Sequence, residues 1–229
     1  MSPRKSPRQL RQMLDAIAAE YRYASRFTGL PAPDARVMTA LAEVPREDFV
    51  AADQRPFAYN NLPLPIEAGQ TISQPFIVAL MTDLLAPAAE DSVLEVGTGS
   101  GYQAAILSRL VRRVYTMEII DALADEARQR LATLGYDNVR VRTGNGRLGW
   151  PEHAPYDGII VTAAAPEIPP ALLVQLKPGA RLVIPVRQGT MGQALLLLEK
   201  DAGEKIHTRE ILPVAFVPLT GGQDNGEEA

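Results

Sequence analysis

Residues 93–101 read Val93-Leu94-Glu95-Val96-Gly97-Thr98-Gly99-Ser100-Gly101. Val93, Leu94 and Val96 make a short apolar run of the kind that forms a buried strand, with one acid, Glu95, inside it. Three glycines then alternate, and from Tyr102 the apolar residues Ala104, Ala105, Ile106 and Leu110 follow helical spacing. A buried strand, a glycine turn and a helix start let backbone approach a ligand closely. The dinucleotide fingerprint asks for G-x-G-x-x-G. Here the third glycine comes one residue early, and Tyr102 stands in its place. Such a turn also serves simply to join a strand to a helix, so the stretch predicts the unit and leaves its ligand open.

The next element narrows the choice. Val114, Tyr115 and Met117 form a second short strand, and Glu118 ends it, about 20 residues beyond the first glycine. The first two strands of a doubly wound sheet are neighbours, which brings Glu118 beside the glycine turn. Its two oxygens can there accept both hydroxyls of a ribose; a solvated acid at a strand end is the plainer alternative. An acid two residues before the first glycine, followed by G-x-G-x-G, resembles the first motif of the S-adenosylmethionine-dependent methyltransferases.

Strands near 92–96, 113–117, 138–142, 157–162 and 181–186 alternate with helices at about 101–111, 120–134 and 169–176. That alternation predicts a parallel sheet with helices on both faces. Ala194 to Leu198 and Ile206 to Leu219 then read as two extended segments with no helix between them, an antiparallel hairpin closing the sheet. The expected fold is α/β, a doubly wound, mostly parallel, seven-stranded Rossmann-like sheet. Two helices precede it. The first spans 8–25, with Leu10, Met13, Leu14, Ile17 and Ala18 on one side, and the second carries Val37, Met38, Leu41 and Ala42. Residues 52–75, with Pro56, Pro63, Pro65 and Pro75, read as a long ordered loop or a small irregular subdomain, a kind of segment that usually carries function. Pro75 opens a helix running through Leu85.

Composition sets outer bounds. The chain has 229 residues, 46% of them hydrophobic, enough for one well-buried domain. With 23 Lys and Arg against 27 Asp and Glu, the net charge of −4 argues against a nucleic-acid partner. Cysteine is absent and only His153 and His207 occur, which argues against a metal site or a thiol nucleophile. No run of 18 apolar residues and no signal-peptide pattern is present, so a soluble cytoplasmic protein without membrane association is expected. The basic Arg4, Lys5, Arg8 and Arg11 read as a solvated arm, and the residues after Leu219 as a polar tail.

Two further segments sit at strand ends. Thr143-Gly144-Asn145-Gly146 follows the third strand, where an adenine would lie. Asn145 can accept from and donate to such a ring; taken alone, Asn-Gly is more simply a turn. After the fourth strand, Thr162, Ala163, Ala164 and Ala165 leave room for a substrate or reflect tight packing.

The most particular stretch is Gly69-Gln70-Thr71-Ile72-Ser73-Gln74-Pro75. Together with Val44-Pro45-Arg46-Glu47-Asp48-Phe49-Val50, the Leu94–Tyr102 run, Ala154-Pro155-Tyr156-Asp157, Leu176-Lys177-Pro178-Gly179 and Phe216-Val217-Pro218-Leu219, it resembles the protein-L-isoaspartate(D-aspartate) O-methyltransferases. The motifs run in order from about residue 35 to 220. The resemblance implies a class I methyltransferase fold and a protein carboxyl O-methyltransferase. Its methyl would pass from S-adenosyl-L-methionine to the free carboxylate of L-isoaspartyl or D-aspartyl residues, starting repair through a succinimide. It further implies that Gln70, Thr71, Ile72 and Ser73 fold over the cofactor, and that Ser73 is the active-site serine orienting the acceptor. Glu95, Gly97, Gly99 and Gly101 would belong to the cofactor site, with Gly97 at its methionine part. Glu118 would hold the ribose, Asn145 and Gly146 the adenine, and Thr220 would sit near the cofactor.

Three regions are expected: 1–75 as an N-terminal substrate-side segment, 76–220 as the cofactor-binding core and 221–229 as the tail. The partners would be isoaspartyl proteins and peptides, held as extended chains along 52–75 or beside 206–219 by a monomeric enzyme. One departure stands out: the family usually has Asp where this chain has Asn145, and cofactor binding is expected to survive the change. Asn145-Gly146 and Asn225-Gly226 are also prone to deamidation, with isoaspartate expected at Asn225 on ageing. The competing readings are a methyltransferase of normal aspartate in a dedicated peptide and a non-catalytic S-adenosylmethionine-binding adaptor. A dinucleotide oxidoreductase is disfavoured by the glycine spacing. A nucleic-acid methyltransferase is disfavoured by charge and by the missing Asn/Asp-Pro-Pro-Tyr site.

Overall fold

The computed structural model describes residues 7–189 and 192–221. Asn225, Arg4 and Lys5 lie outside them. At the centre is β3 (Ser92–Val96), parallel on one side to β4 (Arg113–Glu118) and on the other to β6 (Tyr156–Val161). With β5 (Val139–Thr143), β7 (Leu176–Gln188), β8 (Gly192–Lys200) and β9 (Ile206–Pro213), they form a seven-stranded sheet of order β5-β4-β3-β6-β7-β8-β9. Strands β3 to β7 run parallel, and β8 and β9 are antiparallel additions. The expected seven-stranded sheet and closing hairpin are both present. The chain leaves β3 toward β4 and later returns to its other side as β6, so the switch point falls at the carboxyl end of β3.

The apolar runs are continuous because both faces are covered. Val93, Ile160, Val183 and Leu195 point into one core, with α1 (Pro7–Thr28), α3 (Pro75–Leu85) and α4 (Tyr102–Ser108). Their neighbours Leu94, Val96, Ile159, Val161, Leu182 and Ile184 point into a second, with Leu172 of α6 (Pro170–Val174), while α5 (Asp121–Thr133) joins β4 to β5. Each fully buried side chain of this size stabilises by about 1.5–3 kcal/mol. The α1 stripe of Met13, Ile17, Tyr21 and Ala24 is buried, while Leu10 and Leu14 flank it. Ala35–Glu43 forms α2, capped by the Asp34 carboxylate on the Arg36 amide.

Several ends differ from expectation. Helix α4 stops at Ser108 rather than 111, although Leu110 and Val111 stay buried. Helix α6 stops at Val174 because Leu176 already pairs with Tyr156. The last strand ends at Pro213, not Leu219. Residues beyond it leave the sheet edge and turn across its carboxyl end, where Leu219 N donates to Ala164 O at 2.8 Å and Ala164 N to Val217 O at 2.8 Å. The irregular 52–75 region contains 3₁₀ turns at Arg55–Phe57 and Glu67–Gly69. It also holds a two-stranded antiparallel pair, β1 (Leu64–Pro65) and β2 (Thr71–Ile72), which delivers residues 70–73 to the same end of the sheet.

Candidate active site

Three strand ends and two further segments enclose one cavity. The glycine turn after β3, residues 117–120 at the end of β4, Thr162 and Ala163 after β6, residues 70–73 and the returning segment 217–220 all line it. Gly97 shows why the turn must be bare. Its φ is +100°, and a Cβ there would lie 2.4 Å from Thr162 Oγ1. That hydroxyl instead donates to Gly97 O at 2.6 Å, locking β6 to the turn. Gly97 N and Thr98 N both donate to Met117 O, at 2.8 and 3.1 Å, so β4 fixes the turn from the other side.

Glu118 is 7% exposed and lines the cavity. One carboxylate oxygen accepts Gly99 N–H at 2.8 Å, and the other accepts Ile119 and Ile120 N–H at 3.0 and 3.1 Å. Three backbone donors therefore hold the charge in one orientation, with acceptor capacity left for hydroxyls. Glu95 is treated differently. It is fully buried, it lines the cavity, and neither carboxyl oxygen has a hydrogen-bond partner. Burial pushes its pKa up to about 8; the nearby Thr116 hydroxyl draws it partly back, and the charge of Glu118 pushes it up further. An uncompensated buried acid at a cavity wall suits a cationic ligand, which would hold it in its ionised form.

Ten of the twelve residues expected in the site line this cavity: Gln70, Thr71, Ile72, Ser73, Glu95, Gly97, Gly99, Glu118, Gly146 and Thr220. Two do not. Gly101 starts α4 at φ +89°, and a Cβ there would touch the Leu131 side chain at 3.2 Å, so it serves helix packing. Asn145 turns its oxygen to Arg147 N–H at 3.0 Å and its nitrogen to Gly221 O. Ser73 faces two ways. It lines the main cavity and also an adjoining groove formed by Pro63, Gln74, Ile77 and Pro213 to Phe216.

Sequence reasoning missed the apolar wall. Met117, Ile119 and Ile120 flank Glu118 in the cavity and give it an apolar face. The signal was legible as an Ile-Ile pair directly after the strand-ending acid. Tyr102, in place of the dinucleotide glycine, is a wall residue backed by the buried guanidinium of Arg46, 4.9 Å from its ring centre. Among the described lining residues none is His, Cys or Lys, so the cavity offers carboxyls, hydroxyls and backbone rather than a conventional base.

Comparison with known proteins agrees over most of the chain. A family model described as Protein-L-isoaspartate(D-aspartate) O-methyltransferase (PCMT) matches residues 28–224. The chain is 61% identical over 211 residues to Protein-L-isoaspartate O-methyltransferase 2 of Syntrophobacter fumaroxidans, covering 92% of this chain and 85% of that one. It is 60% identical over 209 residues to Protein-L-isoaspartate O-methyltransferase 2 of a Polaromonas species, covering 91% and 99%. Among solved structures, a protein-L-isoaspartate O-methyltransferase superposes with a TM-score of 0.79 at 27% identity, covering 91% of this chain and 66% of that one.

Proposed function

The chain belongs to the protein-L-isoaspartate(D-aspartate) O-methyltransferase family, and from that membership and the chemistry of its cavity we infer what it does. It transfers a methyl group from S-adenosyl-L-methionine to the free α-carboxylate of L-isoaspartyl residues, and to the β-carboxylate of D-aspartyl residues, in damaged proteins. The backbone nitrogen then attacks the ester carbonyl and expels methanol, closing a succinimide whose hydrolysis returns part of the product to normal aspartate.

The residues present suit the cofactor. Glu118 accepts the ribose hydroxyls, each such bond to a charged group being worth roughly 1.5–3 kcal/mol. Ile119, Ile120 and Met117 cover an aromatic base with apolar surface. The unpartnered carboxyl of Glu95 meets a cationic group, and the bare backbone at Gly97 admits the amino-acid end. When bound, the cofactor supplies an electrophilic methyl on a sulfonium.

The acceptor is a carboxylate with a pKa near 4, already ionised at neutral pH, so it attacks without a general base. That fits a wall of hydroxyls and carboxyls. Ser73 donates its hydroxyl to the acceptor carboxylate and aims one oxygen at the methyl. Residues 70–73 close over the cavity and exclude water. Positioning of this kind can supply up to about 7–11 kcal/mol of rate enhancement. The peptide lies extended in the groove of Pro63, Ile77 and Pro213 to Phe216, which opens at Ser73 and takes apolar flanking residues. The observation that carries this reading is that Ser73 borders both the cavity and the groove.

The test pairs methyl transfer with calorimetry, using wild type and Ser73→Ala. Wild type should methylate an isoaspartyl peptide, whereas Ser73→Ala should lose at least tenfold in kcat while binding S-adenosyl-L-homocysteine as wild type does. Binding by wild type without turnover would favour an adaptor and overturn the catalytic reading. Equal kcat in the two proteins would remove Ser73 from the mechanism.

A further inference from the structure

The resemblance implies that Asn145 reads an adenine, but its side chain is engaged elsewhere. Its Oδ1 accepts Arg147 N–H at 3.0 Å, capping the 3₁₀ turn Gly146–Leu148. Its Nδ2 donates to the carbonyl of Gly221, 76 residues along the chain. The amide can point only one way. Flipped, it would set N–H against N–H at Arg147 and oxygen against oxygen at Gly221.

Gly221 belongs to the segment that returns across the carboxyl end of the sheet. Its φ is +97°, and a Cβ there would lie 2.7 Å from Asn145 Oδ1 and 2.8 Å from Ile119 Cδ1. The close approach therefore depends on glycine. On the other side of Thr220, Leu219 N is tied to Ala164 O at 2.8 Å. Thr220 thus sits between two ties, and it lines the cavity beside Ile119.

We propose that Asn145 is a positioning residue which fastens the C-terminal segment over the cofactor cavity, and that the amide at 145, not a carboxylate, is what this chain requires. An aspartate would keep the cap, since that bond needs only an acceptor. It would face the Gly221 carbonyl with a second acceptor and push the segment away. The usual family residue is consequently a loss in this chain rather than a restoration. The proposal rests on the cofactor reading for its effect on binding, while the tie itself can be measured without ligand.

The experiment compares wild type, Asn145→Asp, Asn145→Ser and Gly221→Ala. Serine keeps the capping acceptor but is too short to reach Gly221, and Gly221→Ala breaks the tie from the segment side with residue 145 intact. In ligand-free protein, amide hydrogen exchange at Leu219 should speed up about tenfold or more in Asn145→Asp and Gly221→Ala and by less in Asn145→Ser, with Leu94 and Ile160 unchanged. With ligand, S-adenosyl-L-homocysteine affinity should fall in the order wild type, Asn145→Ser, Asn145→Asp. The cofactor KM should rise while kcat at saturation holds. Unchanged exchange at Leu219 in Asn145→Asp and Gly221→Ala, or affinity in Asn145→Asp equal to wild type, overturns the proposal. If wild type itself failed to bind S-adenosyl-L-homocysteine, the cofactor reading would fall, and the exchange at Leu219 would still decide the tie.

Discussion

Two carboxyls in one cavity carry opposite assignments because their surroundings differ. Glu118 takes three backbone N–H donors, whereas Glu95 takes none and burial pushes its pKa up to about 8. A raised carboxyl pKa means that the folded state holds a proton the unfolded state has released. The resulting penalty is absent below the unfolded value near 4.5, grows as pH rises toward 8 and is complete above it. Glu95→Gln should therefore melt higher than wild type above pH 8, with the gap closing toward pH 5, when ligand-free protein is followed by thermal denaturation. A cationic ligand reverses the balance by favouring ionised Glu95. Calorimetry of S-adenosyl-L-methionine binding at pH 7 in buffers of different ionisation enthalpy should report release of up to about one proton by wild type and none by Glu95→Gln. Equal proton release would disprove the ionisation of Glu95. Glu118→Gln should weaken cofactor binding about 10- to 100-fold, the worth of one charge-assisted hydrogen bond. Neither environment was legible beforehand: the sequence marks both acids at strand positions, but their hydrogen-bond partners depend on how neighbouring turns pack.

At the level of elements, the glycine unit was readable because each step of it is local. A buried strand, alternating glycines and a helical period follow one another in nine or ten residues, and the structure keeps them as β3, turn and α4. The 52–75 region was less readable because its order comes from contacts across it. Gln74 gives α3 no side-chain cap, and Asn61 Oδ1 accepts Phe76 N–H at 3.0 Å instead, from 15 residues away. Asn61→Ala should cost about 0.5–2 kcal/mol of stability, the usual worth of an N-terminal cap. Because α3 begins two residues beyond Ser73, the variant should also raise the peptide KM more than the cofactor KM. A melting temperature equal to wild type would show that the cap contributes nothing. The end of β9 at Pro213, short of the extended stretch that the sequence predicts, has a related reason. Residues 214–219 are extended and apolar like a strand, but their partners are Gln193 and Ala164 rather than a neighbouring ladder.

For the molecule as a whole, the alternation of strands and helices predicts the parallel sheet, and the switch point follows from its order. Strand and helix periodicity alone does not show that residues 217–220 return to the cavity wall; the family resemblance implies it for Thr220 and for residues 70–73, and the structure brings both into one enclosure with Gly97. Among the described residues no helix is long and apolar enough to cross a membrane. The selectivity at stake is esterification of damaged rather than normal aspartate by this enclosure. It is tested most directly by incubating purified protein and S-adenosyl-L-methionine with an isoaspartyl peptide and, separately, with its aspartyl twin, following both by mass spectrometry. The first should give a methyl ester, then a succinimide and then normal aspartyl peptide, and the second no ester. Equal methylation of both peptides, or methylation of the aspartyl twin alone, would contradict that selectivity.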